Sequence, residues 1–288
     1  MNWLVTVSKE KPLLFTTISV CVKYIFFIGS LFQTLMAILR KHGLRSNRYR
    51  GILQLKNLHK GKRCFIIATG PSLTREDLKL VENQYTFGMN SICLLEESNG
   101  FRPTYYGIQD INVYEKLESS ITAKYKGCSN VLVASRIASR YKIPKEWRIF
   151  PYNFMYHSHD RWFNQLYLSK FSDNCYSMVY DGFTITFSLI QLAMYMGFGE
   201  IYLLGADCDY SNTEKQHFLE YGIKDPTINE SPKRMLSAYL VAKKYADKSG
   251  VKIINATRGG NLEVFERKSL EDILIESSIC TENIDIIK

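Results

Sequence analysis

Short apolar runs recur along the chain, and each stops abruptly on polar residues. Cys64–Ala68 ends in Thr69-Gly70-Pro71-Ser72, Tyr85–Met89 in Asn90-Ser91, and Thr104–Ile108 in Gln109-Asp110. Val131–Ala134 is a fourth run. Glu200–Asp207 continues into Cys208-Asp209-Tyr210, and Val251–Ile254 leads to Asn255-Ala256-Thr257-Arg258-Gly259-Gly260. Runs of this length, rich in β-branched and aromatic residues, predict buried strands. Polar or helical sequence follows each of them, which is the βαβ rhythm of a mostly parallel sheet. The expected fold class is α/β: a single Rossmann-like, mostly parallel sheet with helices on both faces, a small lid and an N-terminal hydrophobic helix.

The helical patterns support this reading. After Gly70-Pro71 forces a sharp exit, Ser72 or Thr74 can cap a helix that carries Glu76 and Asp77 in its first turn, where carboxylates suit the positive helix end. Phe183–Met196 is apolar on nearly every side, so it predicts a helix buried against the sheet, with Gly197 as its stop. Ser231–Ser249 reads as a helix with Pro232 at its first position. Leu270–Ile275 reads as a closing helix. Tyr152–Tyr180 breaks the rhythm. It is crowded with aromatic residues and holds His157, His159, Arg161 and Trp162, so it is expected to form a lid of loops and short helices.

The N-terminal pattern is different again. Leu13–Leu39 is apolar apart from Lys23, Gln33 and a few hydroxyl residues. A bilayer span takes about 20 residues. Lys23 opposes a span, because a lysine at mid-bilayer costs roughly 2.5–3.5 kcal/mol, less if it snorkels. Spanning, lying in the membrane surface and packing as a soluble hairpin all stay open. The basic run after Leu39 favours membrane contact from the cytoplasmic side.

Charge sharpens that expectation. The 288-residue chain carries a formal net charge of +9. Much of it lies in Arg40, Lys41, Arg45, Arg48, Arg50, Lys56, Lys60, Lys62 and Arg63. Beside an apolar segment such a cluster is expected to meet lipid headgroups and not nucleic acid. Residues 1–45 then form a membrane-associating segment. Residues 46–288 are expected to form one Rossmann-like domain, with its lid at about 152–180, on the cytoplasmic side of that membrane. The seven cysteines are scattered without a C-x-x-C pair, which fits a reducing compartment and neither a disulfide framework nor a structural zinc site.

Candidate chemistry sits at the strand ends. In open α/β sheets the carboxyl ends of the strands line the ligand crevice. That rule brings Gly70, Asn90, Ser91, Gln109 and Asp110 together, with Asp207 at the tip of a strongly apolar strand. Taken singly, Asn90 reads equally as a turn residue and Asp110 as a helix cap. His217 follows in a polar loop. It is either a surface histidine or a general acid or base, since histidine titrates near neutrality. His157-x-His159 has no matching cysteine or carboxylate pattern, so no metal site is assigned.

Together these residues resemble a family. ATGPSL after an apolar strand resembles the G-N-G-P-S opening of the bacterial sialyltransferases of glycosyltransferase family 42. Asn90 after YTFGM falls where that family has an Arg-Cys-Asn strand end. FTITFSLIQLAMYMGFGEIYLLGAD is similar to its T-S-G helix followed by G-Y-K-E-I-Y-L and G-I-D. A wider set of polysaccharide-cluster proteins, in one superfamily with archaeal pterin pyrophosphokinases, shares G-x-D-C-x-Y-S, a downstream His-Phe and N-A-T-x-G-G. Here these are Gly205–Ser211, His217-Phe218 and Asn255–Gly260.

The resemblance implies sugar transfer from a CMP-linked donor to a polysaccharide or glycolipid acceptor, with no further cofactor. By resemblance, Gly70 and Ser72 lie against the donor phosphate and ribose. Asn90 and Asp110 contact the nucleotide or the sugar, and Thr184 and Thr186 sit by the phosphate. Asp207 holds the ribose, and Asn255 and Thr257 read the base. His217 is the general base, and Tyr210 is the counterpart of the family's leaving-group tyrosines. Thr69 stands where the family has asparagine and Ile185 where it has serine, so the donor sugar is left open. Three alternatives stay beside this reading: a metal-dependent transferase using Asp207-x-Asp209, a pterin-type pyrophosphokinase, and a non-catalytic subunit of an assembly complex. A homo-oligomer is compatible with all of them.

Overall fold

The computed structural model describes residues 12–45, 47–95, 101–153, 169–209, 217–222 and 231–276. A long helix, α1 (Pro12–Lys41), and a short one, α2 (Arg50–Leu53), lead into the first strand, β1 (Arg63–Ile67). Helix α3 (Arg75–Leu80) follows the Gly-Pro exit, and Thr74 caps it. The Thr74 hydroxyl accepts the Asp77 N–H at 3.1 Å and the Asp77 carboxylate accepts the Thr74 N–H at 3.0 Å. This reciprocal capping box satisfies two donors that the helix start would otherwise leave open.

Next come β2 (Thr86–Met89), a 3₁₀ turn (Asn90–Leu94), β3 (Tyr105–Ile108), α4 (Ile111–Tyr125), β4 (Val131–Ala134), α5 (Ser135–Ala138) and β5 (Arg148–Phe150). The two-residue strands β6 (Tyr152–Asn153) and β7 (Val179–Tyr180) pair with each other. Helix α6 (Ile185–Tyr195), β8 (Glu200–Leu204), α7 (Ser231–Ser249), β9 (Lys252–Asn255), β10 (Glu266–Arg267) and a closing helix, α8, over 270–276 complete the order.

Eight strands form one sheet in the order β10-β9-β8-β1-β2-β3-β4-β5. Every pairing in it is parallel, so the mostly parallel sheet expected from sequence is wholly parallel. Strands β5, β6, β7 and β10 were not expected. Each has two or three residues, too few to show a period.

Alternation along the strands splits the core. Cys64, Ile66, Phe87, Met89, Ile201 and Leu203 face α6 and α7. Phe65, Ile67, Tyr202 and Leu204 face α3 and the closing helix. Tyr106, Ile108, Val131 and Val133 face α4. Helices therefore cover both faces, as a parallel sheet requires. Helix α6 is the centrepiece: Phe187, Leu189, Ile190, Leu192 and Ala193 are all at 0% exposure. Burying each large apolar side chain contributes about 1.5–3 kcal/mol. A helix apolar on nearly every side has to be covered all round, and here the sheet and α7 cover it. Among the described residues, no helix is long and apolar enough to cross a membrane.

Candidate active site

The strand order fixes where a ligand can bind. The chain steps from β1 outward to β5, then returns to the other side of β1 with β8. The carboxyl ends of β1 and β8 diverge at this switch point and open a crevice. Gly70 follows β1 and Asp207 follows β8, and they meet there. A Cβ on Gly70 would lie 1.8 Å from Asp207 Oδ2 and 2.5 Å from the Gly205 carbonyl oxygen. Only glycine fits. Gly70 also donates its N–H to that carbonyl at 2.9 Å.

From the other side, Gly260 at φ +71° lies against the Asp207 backbone, where a Cβ would be 2.5 Å from the Asp207 carbonyl oxygen. The Asn261 N–H donates to that oxygen at 2.7 Å. Two loops from two strand ends thus grip one aspartate.

Asp207 is only 7% exposed. Burial raises its carboxyl pKa above the ordinary value, opposed by the Ser72 hydroxyl and amide nearby and reinforced by the Asp209 charge. Neither Asp207 Oδ2 nor Ser72 Oγ has a hydrogen bond of good geometry within the protein, although both atoms are buried. Two facing polar atoms are thus left without full satisfaction. Folded proteins rarely tolerate this without a reason, since a buried unpaired polar group costs about 1–3 kcal/mol.

Other strand ends add to the crevice wall. Asn90 adopts φ +45°, and its carbonyl accepts the Tyr106 hydroxyl at 2.8 Å. Asp110 caps α4: its Oδ1 accepts the N–H groups of Asn112 and Val113 at 2.8 and 3.0 Å. Thr184 caps α6, its hydroxyl accepting the Thr186 N–H at 3.3 Å. Thr186 is buried, with its hydroxyl 3.5 Å from Met89 Sδ. Asn255 and Thr257 are buried and turned inward. The Asn255 amide donates to the Leu262 carbonyl at 2.7 Å and accepts the Thr257 N–H at 3.0 Å. The Thr257 hydroxyl accepts the Ala206 N–H at 3.0 Å. These two side chains tie the Gly259-Gly260 loop to the Asp207 strand end.

His217 is brought over β1. The adjacent Phe218 N–H donates to the Thr69 carbonyl at 2.8 Å, and the His217 N–H donates to Glu220 Oε1 at 2.8 Å. Burial lowers the imidazole pKa below its ordinary value, while the Glu220 charge and the Thr69 carbonyl pull the other way. The ring is therefore neutral at pH 7 and able to accept a proton. Its neighbour Tyr221, 5.0 Å away between ring centroids, has its phenol pushed up to about 12 by burial first and by Asp110 and Glu220 next. Tyr210, His157 and His159 lie outside the described residues.

Two groups were missed from sequence. Asp181 follows β7 and accepts the Gln109 amide at 3.2 Å and the Phe183 N–H at 3.0 Å, joining the β3 end to the start of α6. An Asp-Gly pair just before a threonine helix cap was the available signal. Arg267 on β10 donates to the carbonyls of Thr257, Gly259 and Gly260 at 3.1, 2.7 and 2.9 Å and so braces the loop behind Asp207. No sequence signal marked it.

Backbone strain collects at the same edge. Of four non-glycine residues at positive φ among the described residues, Asn90, Phe183 and Cys208 stand at crevice-side turns, and Asn57 does not. Such residues cluster at functional sites. Among the described residues, no group of three or more His, Cys, Asp or Glu converges to hold a metal ion.

A wholly parallel sheet with a polar crevice at its switch point places the chain among the open α/β sheets, whose ligand sites lie at the carboxyl ends of the strands. Residues 42–213, more than half of the chain, match the family described as 6-hydroxymethylpterin diphosphokinase MptE-like. The chain belongs to that MptE-like family. No curated protein matches it.

Solved structures with a similar chain path include the MAf glycosyltransferase from Magnetospirillum magneticum AMB-1, at 14% identity and TM-score 0.45, covering 77% of this chain and 38% of that one. This chain thus spans well under half of that protein. The sialyltransferase CstII from Campylobacter jejuni, in complex with the substrate analogue cytidine-5'-monophosphate, is similar at 13% identity and TM-score 0.46, covering 73% of this chain and 86% of that one. The same enzyme with CMP-3FNeuAc gives 13% and 0.44, covering 72% and 86%.

Proposed function

We propose that the crevice binds a nucleotide-activated sugar and transfers the sugar to an acceptor hydroxyl on a polysaccharide or glycolipid. The carrying observation is Asp207 Oδ2: buried, unsatisfied, pressed against Gly70 and beside the unsatisfied Ser72 hydroxyl. A carboxylate repels phosphate and accepts from hydroxyls, so this pair suits the ribose of a nucleotide. The donor phosphate belongs at the start of α6, where Thr184 and Thr186 lie and the positive end of the helix favours anions. Asn90 and Asp110 line the wall toward the sugar.

His217 then acts as general base. The acceptor oxygen attacks the anomeric carbon as His217 takes its proton. The bond from that carbon to the phosphate oxygen breaks, and the nucleotide leaves with the electron pair. Tyr210 is assigned to the leaving group. The CMP identity of the donor rests on the motif resemblance.

The family match favours a second reading: diphosphoryl transfer from ATP to a pterin alcohol. It uses the same base and the same helix start, and Asp207 with Asp209 would hold the Mg²⁺ that ATP chemistry needs. One experiment separates the two. The purified chain is given CMP-, UDP- and GDP-sugars, or ATP with a hydroxymethylpterin, with and without EDTA, and the released nucleotide is identified. Acceptor-dependent CMP release supports the first reading, and UDP or GDP release corrects the nucleotide. AMP formed only with pterin and Mg²⁺ overturns it in favour of the second. Nucleotide binding without any turnover points to a non-catalytic subunit.

A further inference from the structure

Helix α1 presents its faces in an unusual order. Over its second half, the stripe facing the domain is Ser30, Gln33, Ala37 and Arg40. Ala37 is 3% exposed, the Ser30 hydroxyl bonds the Tyr180 hydroxyl at 3.2 Å, and the Arg40 guanidinium stacks over Tyr49 and Tyr176. The opposite stripe, Leu31, Phe32, Leu35 and Ile38, faces outward at 49–57% exposure. The side that meets the domain is polar apart from Ala37, and the larger apolar side chains meet the surroundings. A helix at home in water shows the reverse. Among the described residues, twelve of the sixteen exposed large apolar side chains lie between Leu13 and Leu44. An apolar patch concentrated in this way marks an interaction surface.

Charge identifies what meets it. From Lys11 to Arg75 the chain has twelve lysines and arginines and no aspartate or glutamate. Lys41, Arg45, Arg48 and Arg50 follow directly on the helix end and are exposed. An outward apolar stripe continued by an unbalanced basic run matches an apolar layer bordered by negative charge. A second copy of this chain would bring the same positive charge against itself, and nucleic acid would leave the apolar stripe in water. We infer that α1 seats this protein on the surface of an anionic lipid bilayer, with the Leu31–Ile38 stripe in the acyl boundary and the Lys41–Arg50 run on the headgroups. The inference stands apart from the reaction assigned to the crevice.

The test is flotation of the full chain with vesicles of phosphatidylcholine containing 30% phosphatidylglycerol, and with phosphatidylcholine alone, at low and high salt. Binding to the anionic vesicles is expected, weaker by about tenfold or more at high salt, since screening shortens the reach of surface charge. The triple variant Leu31→Ser, Phe32→Ser, Leu35→Ser touches only outward positions and should lose most binding while keeping its melting temperature. Lys41→Glu with Arg45→Glu should abolish the preference for anionic vesicles. Full-length protein that stays with neither vesicle overturns the inference. So does a triple variant that binds as well as the parent. A lipid-free dimer that the triple variant dissociates would assign the stripe to a second copy, and tight binding of duplex RNA or DNA in place of vesicles would assign the basic run to nucleic acid.

Discussion

The two edges of the sheet are built from the same strands and do opposite things. At the amino edge, His59 is boxed in. Its Nε2 pairs with the Tyr105 hydroxyl at 2.8 Å, and its ring stacks on Phe198 at 4.7 Å and leans on Tyr85 at 4.4 Å. At the carboxyl edge, Ser72, Ser91, Gln109 and Asp207 come from different strand ends, and each holds a buried polar atom without a well-aligned hydrogen bond. The amino edge has unpaired hydroxyls too, on Tyr125 and Tyr195, but these are neutral phenols at helix ends. Burial lowers the pKa of both His59 and His217. One histidine is enclosed by aromatic rings, and the other hangs over a crevice of unsatisfied groups. A lowered pKa alone does not mark a base, and the role proposed for His217 rests on its surroundings.

The sharpest way to break the comparison is to exchange the roles of the two histidines. His217→Ala should cut turnover by about 10²–10⁴-fold, the usual worth of a general base, while nucleotide affinity barely changes. His59→Ala should leave the turnover of folded protein intact. If the losses are reversed, the assignment of edges is wrong.

Asp207 comes next. Asp207→Ala should weaken nucleotide binding by about 1–3 kcal/mol, read by calorimetry. Unchanged affinity would move the pocket elsewhere. The same residue sharpens the contrast through stability. Its folded pKa is raised, so the folded state holds the proton more tightly than the unfolded one. Its contribution therefore declines as pH rises from the ordinary carboxylate range through the raised value, and at pH 7 the charge is a burden. Asp207→Asn should thus melt higher than the parent at pH 7 and lose nucleotide affinity. A lower melting temperature would show that the charge is already satisfied.

A smaller effect is expected at the amino edge. His59→Ala strands the Tyr105 hydroxyl and opens a gap among three rings, which should lower Tm by about 2–4 °C for each kcal/mol lost. A Tm equal to that of the parent would mean the box is slack.

The smallest signal is in pH dependence. The lowered pKa of His217 places the acid limb of kcat/KM below pH 6.5, with activity lost as pH falls through that lowered value. The limb should persist in His59→Ala. A limb that vanishes there would tie catalysis to the wrong ring.

Much of this was legible in the chain. β4 matches its predicted run residue for residue, and β1, β2 and β3 fall within a residue of theirs at each end. Strand β8 stops at Leu204, because Gly205 at φ +63° turns the chain before Asp207. Helix α6 runs Ile185–Tyr195 inside the predicted Phe183–Met196, since Thr184 is its cap. The expected Thr74 cap was resolved from its rival Ser72 only by geometry, through the Asp77 reciprocal bond. Asp181 and Arg267 escaped because their strands have two residues each and carry no period.

Local pattern determined what is local. An apolar run followed by a glycine loop makes a strand end, and an unrelieved apolar stretch makes a buried helix, because burial and backbone sterics act within a few residues. Which strand ends become neighbours depends on where the chain recrosses the sheet, and only the tertiary structure decided that β8 returns beside β1. That pairing sets Gly70 against Asp207 across 137 positions of sequence, turns Asn255 and Thr257 inward to hold a loop, and leaves Asp207 Oδ2 buried without a well-aligned hydrogen bond. Side-chain satisfaction is a property of the packed whole, because each bond depends on a partner that is distant in the chain.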